Sequence, residues 1–280
     1  MLEWLQTAWQ SIYGVISDTV LSSFPLVHVI LLIMAGCLGS MLAGRCKPSL
    51  GDALLRVLGI LTVLMGASRL WDSFFVLQTA QFETEGTLLV LISLIVGYAF
   101  GAALGLEKSF ERLGGWLSRK FIKEKPARPS EIARQKNPIL PAAEGFAIAA
   151  VLCGFGASTI GSCLNNVLGR DALPLLAALG FSFLAVFLLA VLGGVAPTLA
   201  VSPVLAVEAI LFLAYTLWGD LLTHTLVNQF CLIGAVTLMA AGLDMASGKK
   251  VRAARFLPAY LIPVIYGVAL LWARKMMESS

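Results

Sequence analysis

Apolar stretches near twenty residues long recur eight times along the chain, at roughly 25–44, 54–71, 87–106, 143–163, 172–193, 199–218, 228–246 and 256–273. A helix needs about 20 apolar residues to cross roughly 30 Å of hydrocarbon, and each stretch is close to that length. Hydrophobic residues make up 59% of the chain and charged residues 13%, with a mean hydropathy of +0.88, which no water-facing surface accommodates. The sequence therefore predicts an all-α, polytopic helical membrane protein with about eight transmembrane helices. It divides into an N-terminal amphipathic segment (1–24), segments one to three (25–106), a cytoplasmic amphipathic helix with a linker (107–142), and segments four to eight (143–273).

Segment four and its extension, 144–171, read as the central helix. Residues four apart stack on a helix, so Ala149, Cys153, Ala157, Gly161 and Asn165 form one row, and Ala150, Gly154, Ser158, Ser162 and Asn166 form the next. Small rows let helix backbones approach closely in a bilayer, and hydroxyls and amides bond across the contact. Two readings stand beside each other: a packing seam alone, or a seam opening into a solute cavity near Ser158, Thr159, Asn165 and Asn166. Segment one repeats the device with Gly36, Ser40 and Gly44 beside Ala35, Gly39 and Ala43, and segment three with Gly97, Gly101 and Gly105. Segments one, three and four are accordingly expected to pack most closely. Gly193 to Pro197 joins segments five and six in a tight hairpin.

Charge sets orientation. The first two dozen residues contain no Lys or Arg, so they do not read as a signal peptide. Leu2, Leu5, Trp9, Ile12 and Ile16 instead recur at helical spacing, as in a helix lying on the membrane or docked on the protein. Arg45 and Lys47, nine Lys or Arg between segments three and four, and Lys249, Lys250, Arg252 and Arg255 all fall on one side of an eight-helix topology. The opposite loops carry Asp72, Glu83, Glu85 and Asp220. This asymmetry places both termini outside the cytoplasm. Leu106, Phe110, Leu113, Leu117 and Phe121 form the apolar face of an interfacial helix, followed by a Pro-rich linker. Its basic run reads as a topology signal or as lipid recognition. The net charge of +4 does not indicate a nucleic-acid partner.

Glu208 stands at the middle of segment six. An ionisable side chain there costs roughly 2.5–3.5 kcal/mol on insertion scales and usually faces the protein interior or an aqueous path. It is the candidate coupling residue for a proton or cation; the bland reading is a protonated acid bonded to Ser182, Thr216 or an Asn. Arg69 and Asp244 lie nearer helix ends and reach the interface. An internal repeat is suggested by aligning 54–70 with 229–245, which matches Gly59 with Gly234 and Thr62 with Thr237. Segments one to three would then repeat as six to eight in inverted orientation, as in many secondary transporters.

Other chemistry is sparse. His28 and His224 are separated and expected near the outer surface, giving no metal cluster or catalytic triad. Cys37, Cys46, Cys153, Cys163 and Cys231 fall in apolar helices or on the inner side, against a disulfide framework. No phosphate-binding loop, zinc-protease helix or nucleophile elbow occurs. Neither an enzyme nor a cofactor or metal requirement is expected.

Gly97-Tyr98-Ala99-Phe100-Gly101 followed by Leu106-Glu107-Lys108-Ser109-Phe110-Glu111-Arg112-Leu113-Gly114 resembles the signature of the YqgA/YdfK-type bacterial inner-membrane proteins (DUF554). The resemblance covers about Val29 to Gly267, including Gly39 to Arg45 and the Gly156–Ala157 and Gly161–Ser162 pairs. It implies a multi-pass protein of the bacterial inner (cytoplasmic) membrane with no established substrate. The chain departs from the family pattern at Ala102 and Gly105, where acidic residues are typical, and at Asn165-Asn166, which replaces an amide–carboxylate pair. If those carboxylates serve the relatives, this chain has a changed substrate or does not transport. Two functions remain open: a secondary transporter or channel-like protein for a small solute, with a proton or cation, or a non-transporting membrane scaffold or assembly protein. Small-residue seams also suit a homo-oligomer. A sealed interior around a hydrogen-bonded Glu208 favours the scaffold, and a polar cavity reaching mid-membrane favours transport.

Overall fold

The computed structural model describes residues 24–43, 48–79, 83–121, 140–156, 172–217 and 224–278. All regular structure among them is helical: α1 (Phe24–Leu42), α2 (Pro48–Thr79), α3 (Glu83–Leu104), α4 (Leu106–Phe121), α5 (Ala142–Gly154), α6 (Ala172–Gly193), a 3₁₀ helix (Ala196–Ala200) leading into α7 (Val201–Leu217), α8 (His224–Ala246), and a second 3₁₀ helix (Ala253–Tyr260) leading into α9 (Leu261–Glu278). Five described helical stretches are long and apolar enough to cross a membrane: Ser49–Trp71, Thr87–Leu104, Leu176–Gly193, Thr225–Ala246 and Ala253–Leu270. Leu26–Leu42, Ala142–Gly154 and Ala196–Leu211 are apolar but shorter. The amphipathic segment expected at the N-terminus, with Leu2 to Ile16, lies outside the described residues.

Burial ranks the helices. α8 is enclosed over most of its length, whereas α3 and α9 expose rows of large apolar side chains such as Leu88, Ile95, Phe100, Ile265 and Trp272, which suit a lipid exterior. α5 shares the centre with α8, since every residue from Ile148 to Gly154 is buried. The main core gathers Phe146, Leu152, Leu189, Leu238 and Met245.

Glycines decide which helices meet. A Cβ on Gly59 would contact Gly242 and Ala246, while one on Gly66 would contact Ala235 and Met239, so α2 and α8 run antiparallel with their backbones in close approach. This is the most extensive helix–helix contact in the structure. Gly36 and Gly39 of α1 pack against Thr198 and against Phe187 and Ala190 of α6; Gly97 and Gly101 of α3 pack against Ala259 and Arg255. The expectation that segments one, three and four pack most closely is therefore corrected, since the most extensive contact joins segments two and seven. Each small-residue face takes a different partner, because a seam specifies how near a neighbour comes and not which neighbour it is.

Two expected continuations are also broken. α3 stops at Leu104, and Gly105, at φ +62°, turns the chain into α4. That conformation suits a glycine just past a helix end, so Gly105 ends the helix and does not extend its seam. On α4, Phe110 and Leu117 pack on the core and Gly114 meets Phe146, while Leu113, expected on the same face, is exposed. The second break is in the expected central helix, which ends at Gly154, with Phe155 and Gly156 outside it; the rest of that expected helix, from Ala157 on, lies outside the described residues. The expected tight turn at 193–197 is present, since α6 ends at Gly193, Gly194 turns at φ +74° and the 3₁₀ helix follows from Ala196. The expected helical hairpin is corrected, because α6 packs mainly on α1 and α7 on α5 and α1, and not on each other.

Candidate functional site

The end of α5 lies inside the protein. Glycines at 154 and 156 weaken the helix by roughly 1 kcal/mol each relative to alanine. Phe155 donates its backbone N–H to the Val151 carbonyl, and the Tyr260 hydroxyl donates to the Phe155 carbonyl at 2.7 Å. Tyr260 is the last residue of the 3₁₀ helix before α9, and its ring meets Phe230 of α8 edge-on. Two helices are thus tied together where one stops and the other changes pitch. Such interruptions are tolerated at membrane depth only where protein or a cavity satisfies the freed backbone groups.

Glu208 stands just beyond this end. Gly145 packs near Pro197 and Gly154 near Val204, so α5 runs parallel to the 3₁₀–α7 unit, and Glu208 comes one turn, about 6 Å, past Val204. Its carboxyl group is fully buried and lies 2.5 Å, through Oε1, from Nδ1 of His28 on α1. Oε2 has no hydrogen-bond partner among the described residues. Cys153 of α5 lies within electrostatic range of Glu208, with its thiol 4.0 Å from the Ser182 carbonyl of α6. The Ser182 hydroxyl is buried and likewise has no partner among the described residues. Helices α1, α5, α6 and α7 therefore each bring one small or ionisable polar side chain to the same interior region.

His28 corrects the sequence reading. It is not isolated but 1% exposed and joined to Glu208, the one fully buried carboxylate among the described residues. The partners anticipated for Glu208 were Ser182, Thr216 or an Asn; the partner found is the imidazole. A buried acid in an apolar helix requires a polar counterpart, and a histidine inside another apolar helix was the available signal. Ser158, Thr159, Asn165 and Asn166, the candidate solute ligands, lie outside the described residues.

The Nδ1–Oε1 contact is that of one hydrogen bond between an imidazole and a carboxyl group. With one proton between them, as histidinium with carboxylate or imidazole with carboxylic acid, the pair is neutral overall. Adding or removing a proton leaves a net charge in a low-dielectric interior, which is costly unless another ion compensates. Among the described residues there is no cluster of three or more His, Cys, Asp or Glu suited to a metal.

Apolar helices of this length, bundled around a buried polar centre with large apolar side chains outward, are those of a multi-pass membrane protein. The chain belongs to the family described as protein of unknown function (DUF554), whose model matches residues 24–268. No curated protein and no solved structure matches it.

Proposed function

We propose that the chain is a secondary transporter or channel-like protein for a small solute, in which His28 and Glu208 form the proton or cation coupling site. The observation that carries this reading is the 2.5 Å contact between two fully enclosed ionisable side chains on different helices. Intramembrane Glu and His pairs are the usual material of proton relays, and a cation entering beside the unpartnered Oε2 would compensate the loss of the shared proton. The end of α5 at Phe155 and the change of pitch at Tyr260 support the same reading, since helix ends inside the protein form the central sites of many transporters.

Further support comes from the α2–α8 pair. Thr62 and Thr237, matched in the proposed inverted repeat, are both fully buried, and each hydroxyl donates to the carbonyl four residues earlier, at 2.7 and 2.8 Å. Ser158, Thr159, Asn165 and Asn166 follow α5 in sequence and are the proposed solute ligands. The protein is assigned to the bacterial inner membrane with both termini outside the cytoplasm, on the basic-loop asymmetry.

A scaffold is the second reading, favoured by the complete enclosure of Glu208. A ligand-stabilisation screen of purified protein across solute classes identifies the solute by mass action. Uptake of that solute into proteoliposomes under a pH gradient then tests the coupling. Transport requires that Glu208→Gln abolish pH-driven uptake while solute binding persists, and full uptake by this variant excludes Glu208 as the coupling residue. Absence of any binder or flux supports the scaffold.

A further inference from the structure

A groove of about 480 Å³ opens along α4, on the side away from the core, and its lining is cationic. Lys108, Arg112, Gly115 and Arg119 recur at spacings of four, three and four, which places them in one stripe along the helix. Lys250, from the turn after α8, joins them. Four cations thus face one carboxylate, Glu111, and that carboxylate is already engaged by Lys250 at 2.7 Å. No carboxylate pairs with Lys108 or Arg112 among the described residues. The floor is open at Gly115, where an added Cβ would meet nothing within 4 Å. Arg119 is folded along the helix by its Nε–H donating to the Gly115 carbonyl at 3.1 Å.

The stripe has an apolar border. Trp116 and Leu113 are 50% and 42% exposed, and helical geometry places both on the same flank of the cations. The Lys120 ammonium lies 4.8 Å from the centre of the Trp116 ring. The opposite side of α4 is fixed to the protein by Phe110, Gly114 and Leu117. Since α4 begins directly after the membrane-length stretch Thr87–Leu104, this arrangement lies where acyl chains give way to headgroups. Exposed tryptophan beside cations is characteristic of that depth.

We propose that the groove is a binding site for an anionic phospholipid, with the phosphate held by Lys108, Arg112 and Arg119 and an acyl chain lying against Leu113 and Trp116. The choice of a lipid over a soluble anion rests on the apolar flank, which a free phosphate would leave uncovered. Arginine and lysine on a fixed helix give the site a geometry that a flexible polybasic tail does not have.

The test uses the full chain in detergent supplemented with phosphatidylglycerol, with phosphatidylcholine of the same acyl chains, or with soluble glycerol phosphate. Native mass spectrometry counts retained lipid, and thermal denaturation reads stabilisation. Phosphatidylglycerol should be retained and should raise the melting temperature, and both effects should fall with added salt. Lys108→Gln with Arg112→Gln should weaken retention roughly thirtyfold, at about fivefold per charge removed. Arg112→Lys should keep most of it, and Arg56→Gln, an exposed cation outside the groove, should change nothing. Equal stabilisation by phosphatidylcholine, or unchanged phosphatidylglycerol retention in the double variant, overturns the site. Full stabilisation by glycerol phosphate alone replaces the lipid with a soluble anion and overturns the assignment.

Discussion

Gly59 of α2 and Gly242 of α8 exclude side chains from each other reciprocally: a Cβ on Gly59 would come within 2.7 Å of the Gly242 carbonyl oxygen, and one on Gly242 within 2.6 Å of the Gly59 carbonyl oxygen. The obstacle in both directions is backbone, which cannot rotate aside as a flexible side chain does. Gly59→Ala and Gly242→Ala should each lower stability by about 1–3 kcal/mol through overpacking. Gly180→Ala on exposed α6 surface, where an added Cβ meets nothing within 4 Å, should instead be neutral or stabilising by up to about 1 kcal/mol. Thermal denaturation in detergent checks all three. Equal behaviour of the three variants would remove the close α2–α8 approach.

The amphipathic helix is held to the bundle by a different kind of contact. Arg255 donates from Nε to Oε2 and from a terminal nitrogen to Oε1 of Glu107, both at 2.9 Å, and from its other terminal nitrogen to the Tyr98 hydroxyl at 3.4 Å. The hydrogen bond from Arg255 is the largest influence on Glu107 and holds its carboxyl below the ordinary value of 4.5. A depressed acid contributes stability that is complete above its unfolded pKa and disappears as pH falls through its folded one. Glu107→Gln should therefore cost about 1.5–3 kcal/mol near neutrality and flatten the loss of stability below pH 4.5. An unchanged acid limb in this variant would mean that other carboxylates govern it. Lys250, raised above 10.5 by its hydrogen bond to Glu111, has the opposite sign: its contribution is complete below that pH and lost above it. Because Lys250 is half exposed, Lys250→Gln should alter the alkaline limb only slightly.

Apolar run length made the helical membrane class legible, and Gly193 to Pro197 made the turn after α6 legible, because both follow from local chemistry; that α6 and α7 diverge beyond this turn was not. The partners of the seams were not legible. Gly36, Gly97 and Gly59 announce close approach, but Thr198, Ala259 and Gly242 are set by how the whole bundle closes. The interruption at Phe155 was missed because small residues continue past it with unbroken helical periodicity, and the hydroxyl that takes the Phe155 carbonyl comes from Tyr260, 105 residues away. Glu208 stood out as a charge within an apolar run. His28 did not, since an ordinary histidine is mostly neutral at pH 7 and one lone imidazole in a sequence points to no particular acid.

The proposed orientation rests on the basic residues around α4 and the α8–α9 turn. A reporter active only in the cytoplasm should function when fused near Pro129 and fail at Ser280. Activity at Ser280 would require an even number of crossings after Pro129 in place of an odd one, and would overturn the helix count and the placement of the C-terminus.

The His28–Glu208 pair makes a prediction about stability that is separate from any flux. Removing only the imidazole, as in His28→Ala, leaves a buried carboxyl without its partner, and breaking a buried pair in this way typically costs about 3–5 kcal/mol. Glu208→Gln retains a carbonyl acceptor for the imidazole N–H and removes the acid, so it should cost less than His28→Ala. If the two groups interact as the 2.5 Å contact indicates, the double variant should be more stable than the sum of the single losses predicts, with a coupling of about 1–3 kcal/mol. Additive losses would show that the contact carries no energy, and would leave Glu208 without the partner on which proton coupling depends.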